Sequence, residues 1–189
     1  MHQKVITPPT TEPLTLAEAK EHLRVIQDKE DALIESLITA AREYCEDFQN
    51  RAYLEQIRQI SFDNRKYDLI KIPRPPLKSV EKFVLVDKDE TEHDVTDYTL
   101  DEGSEPARLL VNNYPSVTLR SIGGVQIQYT CGHTSADDVS EKVKAAMKLL
   151  IGHWYTHREA VETQGSIPKP LELAVSSLLT QNRVVPVWV

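Results

Sequence analysis

A chain of 189 residues and 21.5 kDa is long enough to bury roughly 70% of its unfolded surface, so it needs no disulfide or metal staple. A composition of 40% hydrophobic and 27% charged residues excludes wholesale disorder. With 22 Lys and Arg against 29 Asp and Glu, the net charge of −7 argues against a protein that grips nucleic acid over a broad basic surface.

No run approaches the roughly 18 apolar residues of a membrane span, so no membrane partner is expected. The opening Met1–Pro9 lacks the apolar centre of a signal peptide. The chain therefore reads as cytosolic with two free thiols, Cys45 and Cys131, although spacing alone leaves a disulfide between them open.

In chain order, residues 1–13 carry Pro8, Pro9 and Pro13 and read as an extended arm. Thr15-Leu16-Ala17-Glu18 is a capping box that opens a short helix to about Arg24, with Leu16, Ala19 and Leu23 on one face. A second helix starts in the acidic Asp28–Asp31 and runs to about Asn50. Its stripe is Leu33, Leu37, Ala41, Tyr44 and Phe48, widened by Ile34, Ile38 and Cys45. Residues 14–53 thus form an N-terminal helix pair.

Residues 54–132 are β-rich. Strands are predicted at 55–62, 69–72, 79–86, 97–100, 107–111 and 124–130, with turns at Gly103, Asn112-Asn113, Pro115 and Gly123-Gly124. Helix returns in residues 137–183. Asp138 with Glu141 can cap a segment with Val139, Val143, Met147, Leu150, Ile151 and Trp154 on its buried stripe. After a break at Gly165–Pro168, Pro170 can open a last helix with Leu171, Val175, Leu178 and Leu179 inward. Helices, then strands, then helices point to an α+β fold. The expected arrangement is an antiparallel helical bundle from the N- and C-terminal segments, with a region of antiparallel strands inserted.

Chemistry is sparse. There is no glycine-rich phosphate loop, no GxSxG elbow and no HExxH. Cys131, His133, His153 and His157 are the only metal candidates, because one thiolate and three imidazoles can satisfy zinc. Their spacing matches no standard zinc module, so ordinary structural histidines are the preferred reading. Cys131 with His133 as a nucleophile pair has nothing to orient the imidazole. No catalytic residue and no cofactor are therefore expected.

Two features invite functional readings. Between Asp87 and Glu105 stand nine acids and one base, Lys88. They are either solvated loops or a negative surface that must not adhere to another negative body. The tail at 184–189, with Val187, Trp188 and Val189, either folds back on its own core or docks on a neighbour.

The series Pro13-Leu14-Thr15-Leu16-Ala17-Glu18-Ala19-Lys20-Glu21-His22-Leu23-Arg24-Val25, Asp31-Ala32-Leu33-Ile34, Ala40–Glu46 and Arg51-Ala52-Tyr53 resembles the head–tail connector (adaptor) family of tailed bacteriophages and prophages. The later segments Ile72–Val80, Val125–Gly132 and Leu149–Ala160 fit as well, so the likeness runs from about Pro13 to Arg183. The β-rich middle places the chain with the longer branch of that family, often labelled conserved phage proteins.

The resemblance implies structural work: a ring, typically twelve-fold, beneath the portal protein, extending the DNA channel and presenting a face to the next neck or tail-completion protein. DNA would pass through without specific binding. The chain would reside in the virion neck, and in the host cytoplasm during assembly. On this view Asp87, Asp89, Glu90 and Glu92 are candidates to face the channel, and the tail is a candidate docking element. Another neck or tail-completion protein is the nearest alternative. A DNA-packaging accessory protein is disfavoured by the acidic balance, and a zinc enzyme would have to rest on the Cys/His group.

Overall fold

The structure, a computed structural model, describes residues 1–65, 68–157 and 169–185. The described residues form an α+β fold of four α-helices and eight antiparallel strands. The chain divides into two compact units. Met1–Thr10 and Glu55–His133 build a β unit, and Thr11–Leu54 with Thr134–Arg183 build a helical one.

In the helical unit α1 spans Leu16–Leu23 and starts at a complete capping box. The Thr15 N–H donates to Glu18 Oε2 at 2.8 Å, and the Glu18 N–H donates to Thr15 Oγ1 at 3.2 Å. These bonds satisfy two backbone donors that the first turn leaves open, and the Thr15 N–H first, then the Thr15 hydroxyl, hold the Glu18 carboxyl below its ordinary range. Arg24, in the left-handed region, closes the helix. A 3₁₀ turn at Asp28–Glu30 leads into α2, Asp31–Gln49, which ends at Asn50 with φ 55°.

The buried face of α2 is Ile34, Ile38, Ala41, Cys45 and Gln49. The predicted stripe was therefore one position off centre. Leu33 is exposed, and Leu37, Tyr44 and Phe48 flank the core. Helix α3 is Glu141–Thr156, with Val143, Met147, Leu150 and Ile151 inward. Its cap is Ser140, whose hydroxyl accepts from the Lys142 N–H, and not Asp138. Asp138 lies in a 3₁₀ turn, and the extended Val139 separates it from the helix. Helix α4 is Lys169–Leu179, burying Val175 and Leu179. The sequence break at Gly165–Pro168 lies outside the described residues.

All four helices contribute to one apolar cluster with Leu14, Tyr53 and Leu54. Within it runs a polar thread. Arg42, 4% exposed, donates from Nε to Glu12 Oε2 at 2.8 Å and from Nη1 to Glu46 Oε2 at 2.9 Å. Glu46 Oε1 accepts the Tyr53 N–H at 2.7 Å, the Tyr53 hydroxyl donates to Gln49 Oε1, and Gln49 Nε2 donates to the Leu179 carbonyl at 2.6 Å. The thread ties the end of α4 to α2, and α2 to the segment before α1.

In the β unit, five strands run in the order β1-β2-β8-β4-β5 and three in the order β3-β7-β6. Their ranges are β1 His2–Thr7, β2 Gln56–Phe62, β3 Leu69–Ile72, β4 Leu77–Val86, β5 Glu92–Asp94, β6 Tyr98–Asp101, β7 Ala107–Val111 and β8 Val125–Cys131. β8 is central because alternate residues Val125, Ile127, Tyr129 and Cys131 are all buried. Phe83 of β4 packs against Tyr98 of β6 at 5.8 Å and links the two sheets. Residues 2–7 of the proline-rich opening are a strand, paired antiparallel with β2 from His2↔Ser61 to Thr7↔Ile57.

Candidate functional site

The acidic run folds around a hairpin. β4 and β5 pair from Val84↔Asp94 to Val86↔Glu92 and are joined by Asp87–Thr91. Asp87 organises that turn: Oδ1 accepts the N–H groups of Asp89 and Thr91, both at 2.9 Å, and Oδ2 lies 2.8 Å from His93 Nε2. The His93 hydrogen bond first, then the Thr91 N–H, hold the Asp87 carboxyl below the ordinary aspartate range. Glu90 takes the left-handed φ of 60° that closes the turn.

Three of the nine acids in this run pair with cations outside it. Arg120 Nη1 donates to Glu90 Oε2 at 2.6 Å, Lys82 reaches Glu92, and Arg108 forks onto Asp101 through Nε and Nη2. Counting residues 87–105 alone exaggerates the field, because Lys82 on β4, Arg108 on β7 and Arg120 in the loop between β7 and β8 bring cations to it. Of the four candidate channel acids, Asp87 builds a turn and Glu90 and Glu92 are ion-paired, while Asp89 presents an exposed side chain.

Beside the hairpin stands a feature that sequence reading missed. Ile122 is 78% exposed at the tip of the Ser121–Gly124 loop, yet the loop is tightly braced. The Gly123 N–H donates to Asp63 Oδ1 at 2.9 Å, and its carbonyl accepts from Arg120 and Gln126. Gly123 has φ 62°, and a Cβ on Gly124 would sit 3.0 Å from the Arg120 carbonyl. The two glycines were read as a turn; the side chain displayed by that turn carried no periodicity to reveal it.

The Cys/His candidates divide between the two units. Cys131 is fully buried at the end of β8, its thiol 3.8 Å from the Gln56 carbonyl, while His133 lies beyond the strand and its carbonyl accepts the Glu55 N–H. His153 and His157 stack with ring centroids 4.4 Å apart, and His157 Nδ1–H donates to the His153 carbonyl at the end of α3. Burial, then the neighbouring His157, lower the His153 pKa. Among the described residues, no three His, Cys, Asp or Glu side chains are grouped to hold a metal. Cys45 and Cys131 are buried thiols outside any disulfide, and burial pushes the Cys45 thiol up to about 12. Among those residues no helix is long and apolar enough to cross a membrane.

Of the tail, Val187, Trp188 and Val189 lie outside the described residues. The segment before it is fixed: Arg51 Nε donates to the Asn182 carbonyl at 2.6 Å, and the Arg183 guanidinium sits 5.1 Å above the Phe48 ring.

Comparison with known proteins gives one consistent picture. A family model described as head completion protein matches residues 12–179. No curated protein matches the chain by sequence. Among solved structures, the fold is similar to a chain from the neck of an empty gene transfer agent particle computed with C6 symmetry. There the TM-score is 0.78 at 24% identity, covering 100% of this chain and 98% of that one. A chain in the virion of a native gene transfer agent particle gives a TM-score of 0.79 at 22% identity, with the same coverages. A chain in the native neck computed with C12 symmetry gives 0.75 at 23%, again covering 100% and 98%.

Proposed function

The chain belongs to the head completion protein family, and from that premise we propose that it closes into a ring in the virion neck, beneath the portal, and extends the channel through which DNA passes. Its role is that of a structural head–tail connector. The observation that carries the ring reading is the full-length likeness to neck chains resolved with C6 and C12 symmetry.

A ring needs head-to-tail contacts between two different faces of one subunit, closed by rotation. Helices from both ends of the chain, arranged as an antiparallel bundle, would supply one rigid body for such contacts. The arm at 1–13 and the tail at 184–189, with Val187, Trp188 and Val189, would supply extended ones. The partners in this reading are further copies of the chain, twelve in the virion, together with the portal protein above and a tail-completion protein below. The subunit would assemble from the host cytoplasm.

A net charge of −7 suits a channel along which phosphates must slide without sticking. In this reading Asp87, Asp89, Glu90 and Glu92 line the channel, with Asp89 the most exposed to DNA. Converting them to Asn and Gln together is expected to slow DNA passage. Normal infectivity would remove these acids from the channel wall.

The deciding experiment is light scattering on the purified protein, with negative-stain images of the same sample, alone and mixed with its portal. Closed rings in either sample are expected. A chain that stays monomeric beside a portal it does not bind would overturn the reading.

A further inference from the structure

The first strand of the β unit is attached in an unusual way. β1 pairs with β2 along most of its length, yet it buries none of its side chains. Its partner buries Gln56 and Ile60. β1 is therefore held by backbone hydrogen bonds and contributes almost nothing to the core, so its departure leaves no cavity. It also shows apolar groups to solvent: Met1 is 47% exposed, Val5 44% and Ile6 40%. The pairing register shifts between Val5 and Thr7. As the outermost strand it presents a second, unpaired edge, the feature that natural sheets usually blunt.

The connection to the rest of the chain is equally distinctive. Glu12 is pinned by Arg42 at 2.8 Å and by the Thr39 hydroxyl at 2.9 Å, and Pro13 and Leu14 are buried behind it. Between this anchor and β1 lie only residues 8–11, opening with Pro8-Pro9. Pro8 and Pro9 restrict the first half of that tether, and the chain bends at Thr10 and Thr11. Its five Cα steps from Thr7 to Glu12 reach about 17 Å at most. A short hinge before an edge strand with no core residues is the arrangement that favours strand exchange between copies, since the same ladder forms within a chain or between chains.

We infer that β1 is exchanged in the assembled protein: residues 2–7 of one subunit pair with β2, residues 56–62, of the next. This rests on the ring reading above and supplies one of its contacts. Each subunit donates a strand to one neighbour and accepts one from the other, which is a head-to-tail contact of the kind that closes by rotation. Val5 and Ile6 keep in the exchanged ladder the surroundings that the single chain gives them.

The test uses the register. His2 and Ser61 are directly opposed, as are Lys4 and Gln59, and opposed positions bring Cβ atoms to about 4.5–5.5 Å, close enough for a disulfide after small adjustment. His2→Cys/Ser61→Cys, and separately Lys4→Cys/Gln59→Cys, are assembled with portal, oxidised and run on denaturing gels with and without reductant, with negative-stain images of each sample. Cys45 and Cys131 are buried and stay silent.

Exchange predicts a reductant-sensitive ladder of linked chains in both variants. Rings whose chains migrate as internally crosslinked monomers overturn exchange and leave the ring intact. A ladder without rings overturns the ring and keeps exchange. Internally crosslinked monomers without rings overturn both. Mixing His2→Cys with Ser61→Cys single variants adds a second readout, because a disulfide between them arises only between chains. Crosslinking of β1 to the portal instead would assign its partner to a different protein and overturn exchange.

Discussion

The polar thread through the helical core predicts a graded response to changes at Glu46. Glu46→Ala removes the more buried counter-ion of Arg42, the two side chains being 3% and 5% exposed, and takes away the carboxylate oxygen that accepts the Tyr53 N–H. Breaking a buried pair by deleting one member costs about 3–5 kcal/mol. Arg42 keeps Glu12 at 2.8 Å, but Glu12 is 26% exposed and partly solvated, so about 3 kcal/mol is expected.

Glu46→Gln loses the charge and keeps an oxygen for Tyr53. Because an unmet buried donor costs about 1–3 kcal/mol by itself, this variant should lose only about 1–2 kcal/mol. Arg42→Met/Glu46→Met removes both charges and should fall below Glu46→Ala despite changing more atoms.

The assay is urea unfolding followed by Trp154, which stands edge-on to Tyr44 at 6.2 Å in this unit, in a Trp188→Phe background. At about 2–4 °C per kcal/mol, Glu46→Ala should also lower the thermal midpoint by about 6–12 °C. Equal losses for Ala and Gln would show that the Tyr53 bond contributes nothing. A loss under about 0.5 kcal/mol for Glu46→Ala, the size of an ordinary surface change, would refute the buried network outright.

Asp87→Ala should speed amide exchange at Asp89 and Thr91 at neutral pH. Because the folded carboxyl titrates below its ordinary value near 4, the benefit is intact above that range and fades as pH falls through the folded value. A difference between wild type and variant that persists undiminished at strongly acid pH would contradict this. The Tyr129 hydroxyl is buried with no hydrogen-bond partner among the described residues, so Tyr129→Phe should be neutral or stabilising by up to about 1 kcal/mol in urea melts. A clear loss would reveal a partner such as a buried water. A chain ending at Arg183 should keep its thermal midpoint, since Arg51, Phe48 and Lys142 hold the residues up to 183, yet fail to complete particles. Normal completion would remove the tail as a docking element.

What the sequence revealed tracks how local each signal is. The capping box at Thr15 and Glu18 is complete within four residues and was readable to the atom. The inward faces of β8 and α3 follow from simple periodicity. The α2 stripe is centred one position off because Leu33, Leu37, Tyr44 and Phe48 on its flank outweigh Ile34, Ile38 and the smaller Cys45, which sit beside the correctly placed Ala41.

Arg42 and Glu46 look like a solvated helical pair, and only Glu12, thirty positions away from Arg42, makes sense of their burial. β1 was hidden because its residues show no alternation and its pairing partners lie fifty or more positions on. β5 is three residues long and acidic, so no propensity marks it. The acidic run illustrates the same limit, for the cations that pair with three of its acids are neighbours in the fold and lie outside the run.

The polar thread also has a bearing on the order of events in the cell. Gln49 finds its acceptor at Leu179, 130 residues later, and Tyr155 finds Glu30 across a separation of 125. A ribosome must therefore deliver almost the entire polypeptide before the helical unit can settle, while strands β2 to β8 can zip as soon as residue 131 emerges. Nascent fragments carry no finished helical body with which to occupy a place in an assembling particle. Only a completed subunit can compete for one.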